Sequence, residues 1–264
     1  MEYQKPFIYI DTNFSPADGL FIKMALDSFD FELVGLSSNK TYMSSAAAGK
    51  NILGLVNSED LFLSVAKNYD DLASKHDEEI FLAKNDYLED MDAFENLYDI
   101  ASDCGRLDII ASGDLSNIAK AVRSYEDFVD YIDHIFLTIP DIKNLSKEYL
   151  KDLDLILSSG IKLFVIEENF ANNFVLEEKD LENIKKSNPN LEKLLKAYDK
   201  EPLSAALLLY LSQRPEAFIF EDTGLKVNFD EKILDRSKSR PKVYLVNKVN
   251  EESFYDYLRA ILCK

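Results

Sequence analysis

The sequence predicts an α/β fold, an open and mostly parallel sheet with helices on both faces, folded as one domain over residues 1–264. Three observations carry that expectation. Short β-rich runs alternate with stretches of 3.6-residue apolar period, and β-α-β-α order is the pattern of parallel strands joined by crossover helices. Apolar residues make up 47% of the chain, enough to fill a core of that kind. No repeat, low-complexity tract or linker divides it.

The elements follow in order. Phe7-Ile8-Tyr9-Ile10, ending at Asp11, is an apolar run of strand length, and Leu20, Phe21, Met24 and Ala25 put a helix over Asp18 to Ser28. Phe31 to Leu36 is a second strand, leading to Asn39 and a helix over Ser44 to Leu55. Further strands are expected at Leu61 to Val65, Leu107 to Ala111, His134 to Leu137 and Ile161 to Ile166. Helices over Asp92 to Ser102, Ser116 to Arg123 and Lys147 to Ser158 lie between them. Leu176 to Leu211 is helical and charged, broken by Pro189 and Pro202, because proline has no amide hydrogen to give a helix. Phe218 to Phe229 alternates weakly about Gly224, the pattern of a hairpin. Pro241 to Val249 is a closing strand before a last helix over Glu251 to Leu262. Right-handed crossovers bring the carboxyl ends of parallel strands to one edge, where α/β folds bind ligands.

Charge narrows the partners. With 30 basic and 48 acidic residues the formal net charge is −18, which repels phosphate backbones and anionic lipid surfaces. Nucleic acid and membrane are therefore not expected partners. Cys104 and Cys263 match no metal-ligand spacing and fit a reducing compartment. The start of the chain has no basic segment followed by a long apolar run, and no apolar stretch approaches the roughly 18 residues of a membrane span. A cytoplasmic location is the expectation. His76 and His134 stand far apart with no Gly-x-Ser-x-Gly elbow, so a serine-type triad has no support. His134, opening a strand, is read as structural.

The segment richest in chemistry is Asp11-Thr12-Asn13-Phe14-Ser15-Pro16-Ala17-Asp18-Gly19, which closes the first strand and opens the first helix. Carboxylates at this spacing can hold a hard cation on a flexible loop. They can equally be structural, with Asp18 capping the helix and Asp11 tying down the turn. Both readings stand on spacing alone.

The same segment resembles the nucleoside hydrolase signature Asp-Thr-Asp-Pro-Gly-x-Asp-Asp-Ala. Further likenesses follow in the family's order. Phe31 to Asn39 is similar to a second strand ending in Gly-Asn, with Ser38 in place of the glycine, and Ala46 to Leu55 to the helix after it. Ala111 to Ala119 (ASGDLSNIA) resembles the family's Thr-Gly-Pro-Leu-Thr-Asn-(Leu/Ile)-Ala turn, and Leu157 to Leu163 its helix-to-strand join. Glu201 to Ala206 (EPLSAA) stands where the family has His-Asp-Pro-Leu-Ala. The resemblance implies a Rossmann-like core, a calcium cofactor, a nucleoside or related riboside as ligand, and assembly as a homo-oligomer, a dimer or tetramer. It also implies a reaction in which water attacks the ribose carbon while a cation orients that water and a carboxylate takes its proton.

Carried over residue by residue, the resemblance assigns the metal positions to Asn13, Asp18 and Glu201, the catalytic positions to Asn13 and Asp11, and a substrate-binding position to Asn39. Asn13 replaces the aspartate that serves the family as calcium ligand and general base, and an amide takes up no proton at neutral pH. Ala17 replaces a carboxylate that grips ribose hydroxyls. Glu201 replaces a shorter aspartate ligand, and Lys200 stands at a histidine position. Thr138-Ile139-Pro140-Asp141-Ile142-Lys143-Asn144 runs almost directly into the next helix, so the family's ribose-binding stretch after that strand is missing. The expectation is a nucleoside hydrolase-like protein with lost or strongly altered N-glycosidase activity, able to bind a metabolite or a cation. The alternatives are a divergent calcium-dependent hydrolase using Asp11, Asp114 or Glu167 as base, and a structural subunit with an empty crevice.

Overall fold

The structure, a computed structural model, describes residues 5–38, 54, 63–65 and 91–264. Asn39, His76 and all but Gly54 of the helix expected over Ser44 to Leu55 lie outside the described residues. Strands β1 (Phe7–Thr12), β2 (Glu32–Ser38), β3 (Leu63–Val65), β4 (Leu107–Ala111), β5 (Ile132–Ile139), β6 (Lys162–Glu167), β7 (Phe218–Asn228), β8 (Ile233–Arg236) and β9 (Lys242–Val249) form one sheet. Their order across it is β3-β2-β1-β4-β5-β6-β9-β7-β8. Every pairing from β3 to β9 is parallel, and β7 runs antiparallel to both β9 and β8. The expected open, mostly parallel sheet is present.

Its helices are α1 (Pro16–Asp27), α2 (Ala93–Cys104), α3 (Ser116–Ser124), α4 (Lys147–Ser158), α5 (Glu168–Ala171), α6 (Glu178–Ser187), α7 (Glu192–Ala197), α8 (Ser204–Gln213) and α9 (Glu251–Leu262). The period-2 pleat sends successive strand residues to opposite faces, which divides the core in two. Ile8, Ile10, Ile110, Phe136, Phe164 and Ile166 pack with α1 and the helices from α6 onward. Tyr9, Ile109, Ala111, Ile135, Leu137, Leu163 and Val165 pack with α2, α3 and α4. With both faces covered, these strands are near-continuous apolar runs, as buried parallel strands must be. Helix α8, SAALLLYLSQ, has almost no polar face because it is buried from Ala205 to Leu211.

One element differs from the expectation. Phe218 to Phe229 is not a hairpin about Gly224: β7 is a single strand that pairs with β9 from Phe218 to Gly224 and with β8 from Leu225 to Asn228. The turn falls after Asn228 instead. Gly224 is needed for a close approach, since a Cβ there would lie 2.1 Å from the Ser237 carbonyl oxygen, and the Ser237 amide donates to the Gly224 carbonyl at 2.8 Å.

The topology also fixes where a ligand can bind. From β1 the chain moves outward through β2 to β3, then returns to β4 on the other side of β1 and continues through β5 and β6. Strand order therefore reverses between β1 and β4, and at such a point the two loops leaving the carboxyl ends diverge and open a crevice.

Candidate functional site

A cavity of about 380 Å³ lies at that reversal. Its lining comes from the β1–α1 junction (Asn13, Ser15, Asp18), the β4–α3 turn (Ser112, Gly113, Asp114) and the β5–α4 connection (Thr138, Pro140, Tyr149). Glu168 opens α5, and Glu201, Pro202, Ser204 and Ala205 lead into α8. Residues 13, 18 and 201, to which the resemblance assigns a metal, line this cavity together.

Local sequence holds each of them. Ser15 caps α1 with Pro16 in its first turn, where the missing amide hydrogen costs nothing. The Ser15 hydroxyl accepts from the Asp18 amide at 3.2 Å, and Asp18 Oδ2 accepts from the Ser15 amide at 2.9 Å, a reciprocal capping box. Asp18 thus fills the structural role weighed for it, yet still faces the cavity. Its Oδ1 accepts from the Ser112 hydroxyl at 3.1 Å, and Ser112 Oγ also lies 2.8 Å from Thr12 Oγ1. Glu201 Oε2 accepts from the Ala17 amide at 3.1 Å, placing a second carboxylate at the positive end of the α1 dipole. Burial raises the Asp18 carboxyl above the usual range against the hydrogen bonds it accepts, and the neighbouring Glu201 charge adds to the rise.

The backbone is strained beside two of these side chains. Phe14 (φ 58°) follows Asn13, and Lys200 (φ 51°) precedes Glu201, both in the left-handed region that costs a side-chain-bearing residue roughly 1–2 kcal/mol. Such strain persists only where the surroundings enforce it, and Phe14 is pinned in the core at 1% exposure. Asn13 Oδ1 is buried and has no hydrogen-bond partner.

Asp11 is placed differently. It is fully buried and does not line the cavity. Its Oδ1 accepts from Ser37 Oγ at 2.6 Å and from Asn117 Nδ2 at 2.9 Å, and Asn117 Nδ2 also reaches the Ser38 carbonyl at 3.0 Å. This set ties together the ends of β1 and β2 and the first turn of α3. Asp11 Oδ2 has no partner, and burial outweighs the two donated bonds, so the carboxyl is pushed up to about 7. Of the alternative bases, Asp114 lines the cavity and Glu167 is exposed at the end of β6, while its neighbour Glu168 lines the cavity.

Sequence reasoning missed Thr138, Tyr149 and Glu168 as cavity residues. Position alone could have flagged Thr138, which lies at the carboxyl end of a parallel strand. Tyr149 carried no signal, since a tyrosine on an amphipathic helix looks like core packing. His134 sits at the opposite, amino-terminal edge, with Nδ1 2.7 Å from Asp108 Oδ1 on the neighbouring strand, and takes no part in the cavity.

No family model matches the chain, and no curated protein matches it in sequence. Solved structures do match in shape. A plant nucleoside hydrolase superposes with a TM-score of 0.84 at 17% identity, covering 98% of this chain and 99% of that one. An inosine-uridine preferring nucleoside hydrolase from Bacillus anthracis gives 0.80 at 12% identity, over 98% and 99% of the two chains. A purine-preferring ribonucleoside hydrolase from Gardnerella vaginalis gives 0.81 at 16%, over 97% and 98%. Similarity in shape over nearly the full length of both chains, at identities this low, establishes architecture and not chemistry. The chain carries the nucleoside hydrolase fold.

Proposed function

We propose that this protein uses the β1/β4 cavity to bind a small hydroxylated ligand, a nucleoside or related riboside, and that its N-glycosidase activity is lost or strongly altered. The ligand class is supported by the fold, which it shares with proteins named for acting on inosine, uridine and purine ribonucleosides. The loss is carried by one observation: the unpartnered buried oxygen where the first strand meets the cavity belongs to the amide of Asn13. Water attacking a glycosidic carbon must give up a proton, and an amide does not take it. Losing a general base costs on the order of 10²–10⁴ in rate. The carboxylates that remain are held by other groups: Asp18 by Ser15 and Ser112, Glu201 by the Ala17 amide, Asp114 by Ser116, and Glu168 by the Asp141 amide.

The donor set fits a cation, weakly. Asp18 and Glu201 supply two carboxylates and Asn13 an orphaned amide oxygen, the hard donors calcium takes, although calcium gathers roughly six to eight oxygens. Among the described residues no group of three or more His, Cys, Asp or Glu converges on one point. Calcium held by Asn13, Asp18 and Glu201 would supply positive charge for orienting ligand hydroxyls. Without a base at position 13, the chain's own residues bind and position the sugar but do not activate water.

The test is release of base from a panel of nucleosides and an activated riboside, with calcium present, beside calorimetry of nucleoside binding. Binding heat with turnover at the buffer rate is the expected result. Calcium-dependent turnover approaching the roughly 10 s⁻¹ of a typical enzyme would establish a divergent hydrolase instead. Absence of any binding heat would leave only a structural subunit.

A further inference from the structure

Glu201 reaches the cavity from residues 198–203, which join α7 to α8 outside any helix or strand. Lys200, immediately before it, is in the left-handed region at φ 51°. That conformation is unfavourable for a residue with a side chain and persists only where its neighbours enforce it. Tyr198, which is not among the described lining residues, supplies the hold. Its ring is buried, and its hydroxyl donates to the Glu201 carbonyl at 2.7 Å, closing the turn of residues 198–201 across Lys200. The same oxygen accepts from the Leu176 amide at 2.9 Å. A phenol both donates and accepts, so one side chain ties this turn to the segment that follows α5. That segment is itself fixed. The Phe174 carbonyl accepts from the Leu203 amide at 2.8 Å, the Val175 carbonyl accepts from the Tyr255 hydroxyl at 3.0 Å, and Phe174 and Leu176 are buried in the core. On the cavity side, Glu201 Oε2 accepts from the Ala17 amide at 3.1 Å.

We propose that Tyr198 is a positioning residue for the cavity: by bridging Leu176 and Glu201 it holds the 198–201 turn in its strained form, and so sets the Glu201 carboxylate against the first turn of α1. It touches no ligand and acts through Glu201 alone. Without the bridge, Lys200 leaves the left-handed region, the peptide before Glu201 turns, and the carboxylate moves off the Ala17 amide. The consequence for binding rests on the reading of the cavity as a ligand site; the consequence for the Ala17 amide does not.

Amide hydrogen exchange, followed residue by residue on the full chain by NMR, reads the first consequence directly. The Ala17 amide is held by Glu201, whereas the Gly19 amide two residues on is held by the Ser15 carbonyl within the helix cap itself. The ratio of their exchange rates therefore reports where the Glu201 carboxylate sits, separately from the stability of α1. Tyr198→Phe keeps the buried ring and removes only the bridge. It is expected to speed exchange at Ala17 roughly fivefold relative to Gly19, the scale of one lost hydrogen bond. Glu201→Ala, which removes the acceptor, should speed it at least as much. Adding Lys200→Asn to Tyr198→Phe should restore most of the protection, because asparagine tolerates left-handed backbone and needs less holding. A mere packing defect at position 198 would not be rescued in this way. Calorimetry with inosine and calcium should show Tyr198→Phe binding roughly fivefold more weakly than the parent, with the double variant recovered. Unchanged exchange at Ala17, an equal rise at Ala17 and Gly19, a loss that Lys200→Asn does not recover, or inosine affinity indifferent to Tyr198→Phe each overturns the proposal. Absence of inosine binding in the parent overturns the reading of the cavity and leaves the Ala17 exchange to decide on Tyr198, so the two failures are distinguishable.

Discussion

Asp11→Asn tests the buried floor of the β1/β4 edge through its pH dependence. In the folded protein the Asp11 carboxyl is raised from its ordinary 3.8 to about 7, chiefly by burial. A carboxyl whose folded value is raised favours the neutral form, so its contribution is fully present below the unfolded value and is lost as pH rises through the folded one. At about 1.4 kcal/mol per unit, a rise of about three units corresponds to about 4 kcal/mol lost between pH ~4 and ~7. Asp11 is fully buried, so solvent screening gives little reduction. Asparagine keeps an acceptor for Ser37 and Asn117, and it leaves an amide donor where Oδ2 had no partner, a cost that does not vary with pH. Urea unfolding of both proteins at pH 5 and pH 7 should show the variant gaining about 2 kcal/mol on the parent between them, because the carboxyl is already half ionised at pH 7. The difference between the proteins cancels the many other carboxylates. Parallel pH curves would show that Asp11 is ionised in the fold at neutral pH and would refute the account of its burial.

Three further outcomes are expected. Asn13→Asp combined with Ala17→Asp adds two carboxylates beside Asp18 and Glu201; it should lower thermal stability without metal through like-charge repulsion, raise the melting temperature on calcium addition more than in the parent, and still leave nucleoside turnover well short of an enzyme's. Ser112→Ala removes a donor from buried Asp18 and should cost about 1–3 kcal/mol in denaturant unfolding, more at pH 8 than at pH 5, because the lost bond favoured the ionised carboxylate. Gly224→Ala forces a Cβ to 2.1 Å from the Ser237 carbonyl; it should cost at least about 1–3 kcal/mol in thermal unfolding and loosen the β8 edge in hydrogen exchange before the central strands.

The order of elements was legible because it rests on local pattern. The start of α1 shows this: Ser15, Pro16 and Asp18 carry the cap, the first-turn proline and the capping box within four residues. The β7 misreading has the opposite origin. A glycine inside an alternating run marks either a turn or a close approach of another backbone, and only the passage of Ser237 beside Gly224 distinguishes them. The candidate site was legible in part for the same reason. Asn13 and Asp18 share one strand-to-helix junction, and Glu201 followed from the resemblance. Thr138, Tyr149 and Glu168 reach the cavity by folding alone, and no spacing in the sequence joins them to Asp18.

By itself, then, the amino-acid sequence determined the parallel α/β order, the strand edge at which folds of this class bind ligands, and the amide at position 13, where the family it resembles has a carboxylate. Those are properties of neighbouring residues: apolar period, capping chemistry and side-chain type. The tertiary structure alone decided that Asp11 is fully buried with its carboxyl shifted, and that Asn13, Asp18, Asp114, Glu168 and Glu201 line one cavity. Exclusion of water and convergence of charge depend on what packs around a group, and those neighbours come from elements a hundred or more residues apart.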